Sequence, residues 1–352
     1  MALDYEVSPI TGNGQCVPLE MDTYFERLQK VGYFTIMTGK DHIRGHNPGP
    51  GPQGTNVMAE MGWDACVGTD DVWEFAKTGE PEEPYGFWLE EEGVFEGMAE
   101  EYGGFPFKSV AVPSLGALAP TLSSLCYNDD YDGDLMLGMS DYCPNRSSYT
   151  DGYRYDKWML ETSKQVFQDK YLANSEAIKK PWMWLVNFNG GHPPWIMTTK
   201  GWEDTADRKF ALPQNAPEFQ KNPDKALFLQ KSYAAMVEDT DDMSNALMDW
   251  LDDNSPGGLA NMVVMITGDH GEMLGDHDRT RKQPQHEGFC RVLIAMSGPG
   301  IIVSNKLINK PVSTVDVPWI IMAIDGATLA DTMTAKPLFG SHQRRCASQG
   351  YY

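Results

Sequence analysis

Four apolar runs in this chain lie beside loops that carry lysine, histidine or aspartate, and this recurrence constrains the fold more than any other feature. YFTIMT (33–38) leads to Lys40 and His42, PWMWLVNF (181–188) to His192, and NMVVMI (261–266) to Asp269 and His270, while Lys282 precedes FCRVLIAMSGPG (289–300). Apolar runs of this length bounded by turn residues read as buried strands. Helical patterns fall between them. Thr23 and Glu26 form a T-x-x-E capping box, Leu28 and Val31 supply an apolar face, and Gly32 closes that helix. YDKWMLETSKQVFQDKYL (155–172) reads as a second helix. Leu229, Tyr233, Met236, Met243, Leu247 and Trp250 follow helical spacing in a third, stopped by DDNSPGG. Helix and strand in alternation predict an α/β fold: a largely parallel, mixed sheet flanked by helices on both faces.

In open sheets of this kind ligands sit outside the carboxyl ends of the strands, so the four loops can converge on one pocket. Taken singly, each residue has an ordinary reading: a solvated lysine, a surface histidine, an Asp-His turn cap. Taken together, two lysines, two histidines and an Asp-His pair describe an oxyanion site beside a metal. The formal charge of −22 excludes a nucleic-acid partner, because no broad basic face exists to displace counterions. It also requires that any anionic substrate meet local cations.

Other stretches are read as connections. GHNPGPGPQGTN (45–56) is loop, and the acidic residues 79–104, broken by Gly and Pro, read as a surface excursion. NDDYDGD (128–134) starts like a calcium loop but has Met139 at the twelfth position, so it reads as an acidic turn. No apolar stretch approaches the ~20 residues of a membrane span. MALDYEVSPI has neither a basic n-region nor an apolar h-region, so the expectation is a cytoplasmic chain, or a secretory one if the native start lies upstream. Six cysteines without a C-x-x-C pair argue against zinc and leave the redox compartment open.

Three blocks resemble the type I sulfatases of the alkaline phosphatase superfamily. TGDHGEMLGDH with Lys282 and RVLIAMSGPGI is similar to that family's S/T-D-H-G-E-x-L-G-D-H…G-K…R-V-P-L-I-x-x-G-P-G block. GYFTIMTGKDHI is similar to its G-Y-x-T-x-x-x-G-K-W-H-L, and NFNGGHPPW to its F-x-x-P-H-x-P-[FW] loop. VSTVDVPWIIMAIDG (312–326) resembles a fourth family segment, a helix. The resemblance implies that Asp269 and His270 ligate a divalent cation, usually Ca²⁺, with Mn²⁺ as the alternative. It implies that Lys40 and Lys282 hold sulfate oxygens, that His42 assists near the nucleophile and that His192 protonates the leaving alcohol. The implied substrate is a small-molecule or carbohydrate sulfate ester. Phosphonate monoester or phosphodiester hydrolysis, and a catalytically inactive binding protein, are the readings that share the same pocket.

Two family features are missing from these 352 residues. The family nucleophile is a formylglycine made from Cys or Ser in C/S-x-P-S-R, and the first strand ends in an Asp-Asp pair. Cys16 lies in CVPLE and Cys143 in CPNR, and neither fits. The expectation is a sulfatase-like α/β domain over 1–340, lacking the first strand and nucleophile segment, with a C-terminal tail over 341–352.

Overall fold

The computed structural model describes residues 21–41, 43, 57–69, 81, 84–98, 154–192, 195, 198–221, 223–280, 282, 286–301, 307 and 311–328. The loop at 45–56 and the acidic turn at 128–134 lie outside them.

Helix α1 (Tyr24–Lys30) begins with the box foreseen from sequence: Glu26 N–H donates to Thr23 Oγ1 at 3.2 Å, and Thr23 N–H donates to the Glu26 carboxylate at 3.0 Å. Strand β1 (Phe34–Lys40) follows, then helix α2 (Val57–Glu60) and strand β2 (Ala65–Thr69). After helices α3 (Pro84–Glu91) and α4 (Tyr155–Phe167) comes strand β3 (Trp182–Asn187). β1 is the centre of a three-stranded parallel sheet, ordered β2-β1-β3, with Ile36 opposite Ala65 on one side and Trp184 on the other.

The sheet is covered on both faces, as expected. Phe34 and Ile36 pack with Leu160, Phe167 and Tyr171 and with Leu247 and Leu251, whereas Met37 packs with Phe25, Met58, Met61 and Trp63. This is the period-2 alternation of a strand buried on both sides. The one hydroxyl that alternation turns toward the first layer, Thr38, is paired: it accepts from Trp184 Nε1 at 3.0 Å and from Ser163 Oγ at 2.8 Å.

Helices α5 (Thr199–Asp204), α6 (Pro217–Lys221) and α7 (Pro223–Asn254) lead to strand β4 (Val264–Thr267). Helix α8 (Glu287–Cys290), strand β5 (Ile294–Ser297) and helix α9 (Val317–Asp325) complete the described order. No helix among the described residues is long and apolar enough to cross a membrane.

Five sequence expectations are corrected. The apolar run 261–266 forms a strand only over β4, and 289–300 opens as the end of helix α8, where Cys290 N–H bonds back to His286 O at 2.9 Å, so the strand starts at Ile294. Among the described residues β4 and β5 pair antiparallel in a sheet of their own, Val264 opposite Ser297. The helix expected over 155–172 keeps α-helical bonding to Phe167 and finishes in a π turn at Gln168–Leu172. The acidic stretch 79–104 is not simply a surface excursion. Within its described part, Tyr85 and Leu89 lie one helical turn apart on α3 and are buried against Tyr155, Trp158 and Met159 of α4.

Candidate active site

The carboxyl ends of β1 and β3 are locked together. Lys40 is the last residue of β1, half-buried, and Asn187 Nδ2 donates to its backbone oxygen at 3.0 Å. Gly39, opposite Asn187, has φ +106°, and a Cβ there would fall 2.0 Å from Asn187 O. Only glycine permits this approach, so the G-K dipeptide lets β1 run beside β3 to its last residue, Lys40. His42 lies outside the described residues.

His192 follows β3 by five residues on the same edge. Its N–H donates to Asn189 O at 2.9 Å, closing a tight turn, and Trp195 Nε1 donates to Gly191 O at 3.1 Å. Asn189 is itself buried, and its Oδ1 has no hydrogen-bond partner among the described residues. The Asn189 backbone carbonyl closes the turn. Gly190 packs so closely on α7 that a Cβ would overlap Thr240 Oγ1 at 1.6 Å.

Asp269 and His270 lie just past β4, in the second sheet. His270 N–H donates to Asp269 Oδ1 at 2.8 Å, and His270 Nδ1 lies 2.8 Å from Gly271 O. A carbonyl can only accept, so Nδ1 carries a proton and Nε2 is the nitrogen left for another partner; without a proton it presents a lone pair. That lone pair faces Asp269 Oδ2 at 3.3 Å. Two acceptors in this arrangement require something positive between them, either a second ring proton or a cation. Carbonyl support of a histidine's far nitrogen is the usual second shell of a ligating imidazole. Oxygen and imidazole nitrogen together suit Ca²⁺ or Mn²⁺, so the pair fits part of such a site. Among the described residues no group of three or more His, Cys, Asp or Glu side chains is placed to hold a metal.

The His192 turn packs against a residue that sequence reading placed only in a helix. Tyr233 on α7 packs edge-on against Trp195, with centroids 6.1 Å apart, and lies beside Gly191. Burial raises its hydroxyl pKa, with further increases from Glu272 and Asp269. Tyr233 thus packs on the His192 turn, within electrostatic reach of the Asp269 loop. Helical periodicity marked it as apolar, and nothing in the sequence distinguished its second role.

Lys282 is exposed, on the connection from the Asp269 loop to α8. The backbone before it is held in an unusual shape: Leu274, His277 and Asp278 all have positive φ, at 48°, 56° and 57°. Such residues persist only where their surroundings fix them. Asp278 Oδ1 accepts from Glu218 and Phe219 N–H at 2.9 and 3.0 Å, and His277 N–H donates to Asn215 Oδ1 at 3.3 Å.

Comparison with known proteins places the fold and the family. Choline-sulfatase of Rhizobium meliloti (strain 1021) is 22% identical over 202 residues, 52% of this chain and 39% of that protein. Arylsulfatase K of Danio rerio is 36% identical over 85 residues, 24% of this chain and 16% of that protein. Phosphonate monoester hydrolases of Silicibacter pomeroyi and Agrobacterium radiobacter share the fold, each with a TM-score of 0.57 over 93% of this chain. Their identities are 16% and 15%, with 62% and 64% of those chains covered. The chain thus spans less than two thirds of the length of each of these relatives. The Sulfatase family model matches residues 3–324, well over half of the sequence. On that match, and on a parallel sheet whose carboxyl edge carries Lys40 and the His192 turn, the chain belongs to the sulfatase family.

Proposed function

We propose that this chain forms most of the substrate site of a sulfuric ester hydrolase. The observation that carries the reading is the locked carboxyl edge of β1 and β3, where β1 ends at Lys40 and β3 leads within five residues into the His192 turn.

In this reading the Lys40 and Lys282 ammonium groups hold nonbridging sulfate oxygens. They supply the local cations that a strongly acidic chain must provide before it can accept an anion. Ester cleavage places charge on the departing alcohol oxygen, and His192 donates a proton there. His42 assists near the nucleophile. Asp269 and His270 would hold a divalent cation, Ca²⁺ or Mn²⁺, which when bound draws electron density from the sulfate oxygens. The family's formylglycine would supply the attacking oxygen, and its Cys/Ser-x-Pro-Ser-Arg precursor is not written in these 352 residues. Aryl, choline-type and carbohydrate sulfates all suit the chemistry.

The discriminating experiment compares kcat/KM on 4-nitrophenyl sulfate and on a matched aryl phosphonate, using protein in which a Cys-x-Pro-x-Arg segment precedes these residues. The reading expects the sulfate ester to be the better substrate and turnover to fall on His192→Ala. A preference for the phosphonate would assign the same pocket to phosphonate monoester hydrolysis. Tight binding of sulfated ligands with no turnover of either ester would leave a binding protein.

A further inference from the structure

A buried ion cluster outside the candidate site grips the His192 segment at two points. Arg154, immediately before α4, has one guanidinium nitrogen on Asp156 Oδ2 at 3.1 Å and another on Asp239 Oδ2 of α7. All three residues are buried, at 4%, 2% and 4% exposure. Each carboxylate uses its remaining oxygen on the chain that follows β3. Asp156 Oδ1 accepts the Asn189 N–H at 2.7 Å. Asp239 Oδ1 accepts the Thr198 hydroxyl at 2.7 Å, while Thr198 Oγ1 accepts Gly201 N–H at 2.9 Å and so caps α5.

We propose that Arg154 is a positioning residue for His192: one guanidinium ties together the two carboxylates that hold the chain at Asn189 and at Thr198, on either side of the imidazole. The inference rests on the proposed role of His192 as proton donor. From Asn189 the link to His192 is direct, because the Asn189 carbonyl accepts the His192 N–H. Only a planar fork with several donors can bridge two carboxylates in fixed relative geometry, so lysine would not replace it. Burial also raises the Asp156 carboxyl, against the lowering effect of Arg154 and of the Asn189 N–H. The guanidinium and that backbone donor therefore work to keep a buried group ionised. A cluster that served stability alone could be replaced by apolar packing, and retention of buried ions is best attested where they specify one geometry.

The test is hydrogen exchange and histidine NMR on the chain itself, so it needs no turnover. In Arg154→Lys and Asp156→Asn, the Asn189 and His192 amides should exchange at least tenfold faster and the His192 ring resonances should shift, while amides inside α4 keep their protection. Thr198→Val removes the hydroxyl bond of the far grip, leaving the longer Thr198 N–H bond to Asp239 Oδ2 at 3.4 Å, and leaves the arginine itself in place, so it serves if the first two variants fold poorly. It should speed His192 exchange at least threefold, and Thr198→Ser should restore it. Unchanged His192 exchange and resonances in Thr198→Val, or in folded Arg154→Lys with only a lower Tm, would overturn the proposal. Failure of the sulfatase reading would appear elsewhere, as absent sulfate-ester turnover by wild-type protein carrying its nucleophile, with the exchange result still deciding the clamp.

Discussion

Asn187 Nδ2 donates to the backbone oxygen of Lys40 at 3.0 Å, joining the ends of two parallel strands where the candidate substrate cation emerges. The contact depends on Gly39, whose missing side chain lets the Asn187 backbone approach. Gly39→Ala places a methyl in the left-handed region and against backbone atoms that cannot yield. It should therefore cost more than about 3 kcal/mol or prevent folding. Asn187→Ala should cost only about 1 kcal/mol, the net worth of one hydrogen bond. Urea denaturation of both variants checks the order, and Gly39→Ala within error of wild type would refute the account of this edge.

Tyr33 Oη donates to Asp325 at 2.7 Å, between the end of α1 and the last residue of α9. Burial pushes the Asp325 carboxyl up to about 6 from its ordinary 3.8, partly offset by that hydrogen bond. The folded protein thus keeps a proton that the unfolded chain has already released between these values. The resulting stabilisation is complete below about pH 4 and is lost as pH rises through 6. Asp325→Asn should remove this part of the pH dependence, worth about 3 kcal/mol. Melting curves from pH 4 to 7 that run parallel for the two proteins would contradict it.

Leu89 is fully buried on α3, one turn from Tyr85, although its segment is among the most acidic in the chain. Leu89→Ala should destabilise the protein by about 2–5 kcal/mol through a cavity against α4. A loss under 0.5 kcal/mol would return this stretch to the surface excursion expected from sequence.

That helix shows where the sequence was legible and where it was not. Local signals read correctly. The Thr23–Glu26 box, the two-face burial of β1 and the long periodic helix around Tyr233 all depend on neighbours within a few residues. α3 was hidden because two apolar residues a turn apart were outnumbered by acidic neighbours, and burial was decided by distant Tyr155 and Trp158. The antiparallel pairing of β4 and β5 is a long-range choice that apolar composition does not encode. The site showed the same division. Motif residues at strand ends were readable, whereas Tyr233 and the Arg154 cluster acquire their roles only through contacts some 30 to 90 residues away in sequence.

His270 Nε2 and Asp269 Oδ2 face one another at 3.3 Å with the far ring nitrogen held by Gly271 O. Two protein donors are few for a hard cation that takes six or more oxygens, so water must complete the shell. These 352 residues should bind Ca²⁺ or Mn²⁺ with a Kd no tighter than about 10⁻⁴ M. Calorimetry should show that binding vanish on Asp269→Ala, and tight stoichiometric binding that survives the change would place the metal elsewhere.

The central claim is that Lys282 and Lys40 stabilise charge on a reacting sulfate ester, and turnover of 4-nitrophenyl sulfate tests it most directly. The 352 residues alone should hydrolyse it barely above background, because the covalent step lacks its nucleophile. Protein with a Cys-x-Pro-x-Arg segment ahead of them should turn over and lose roughly 10²–10³ in kcat on Lys282→Ala, since that cation acts on charge that grows in the transition state. Unaltered turnover in Lys282→Ala would contradict the account, as would robust activity of the 352 residues that Cys16→Ala abolishes.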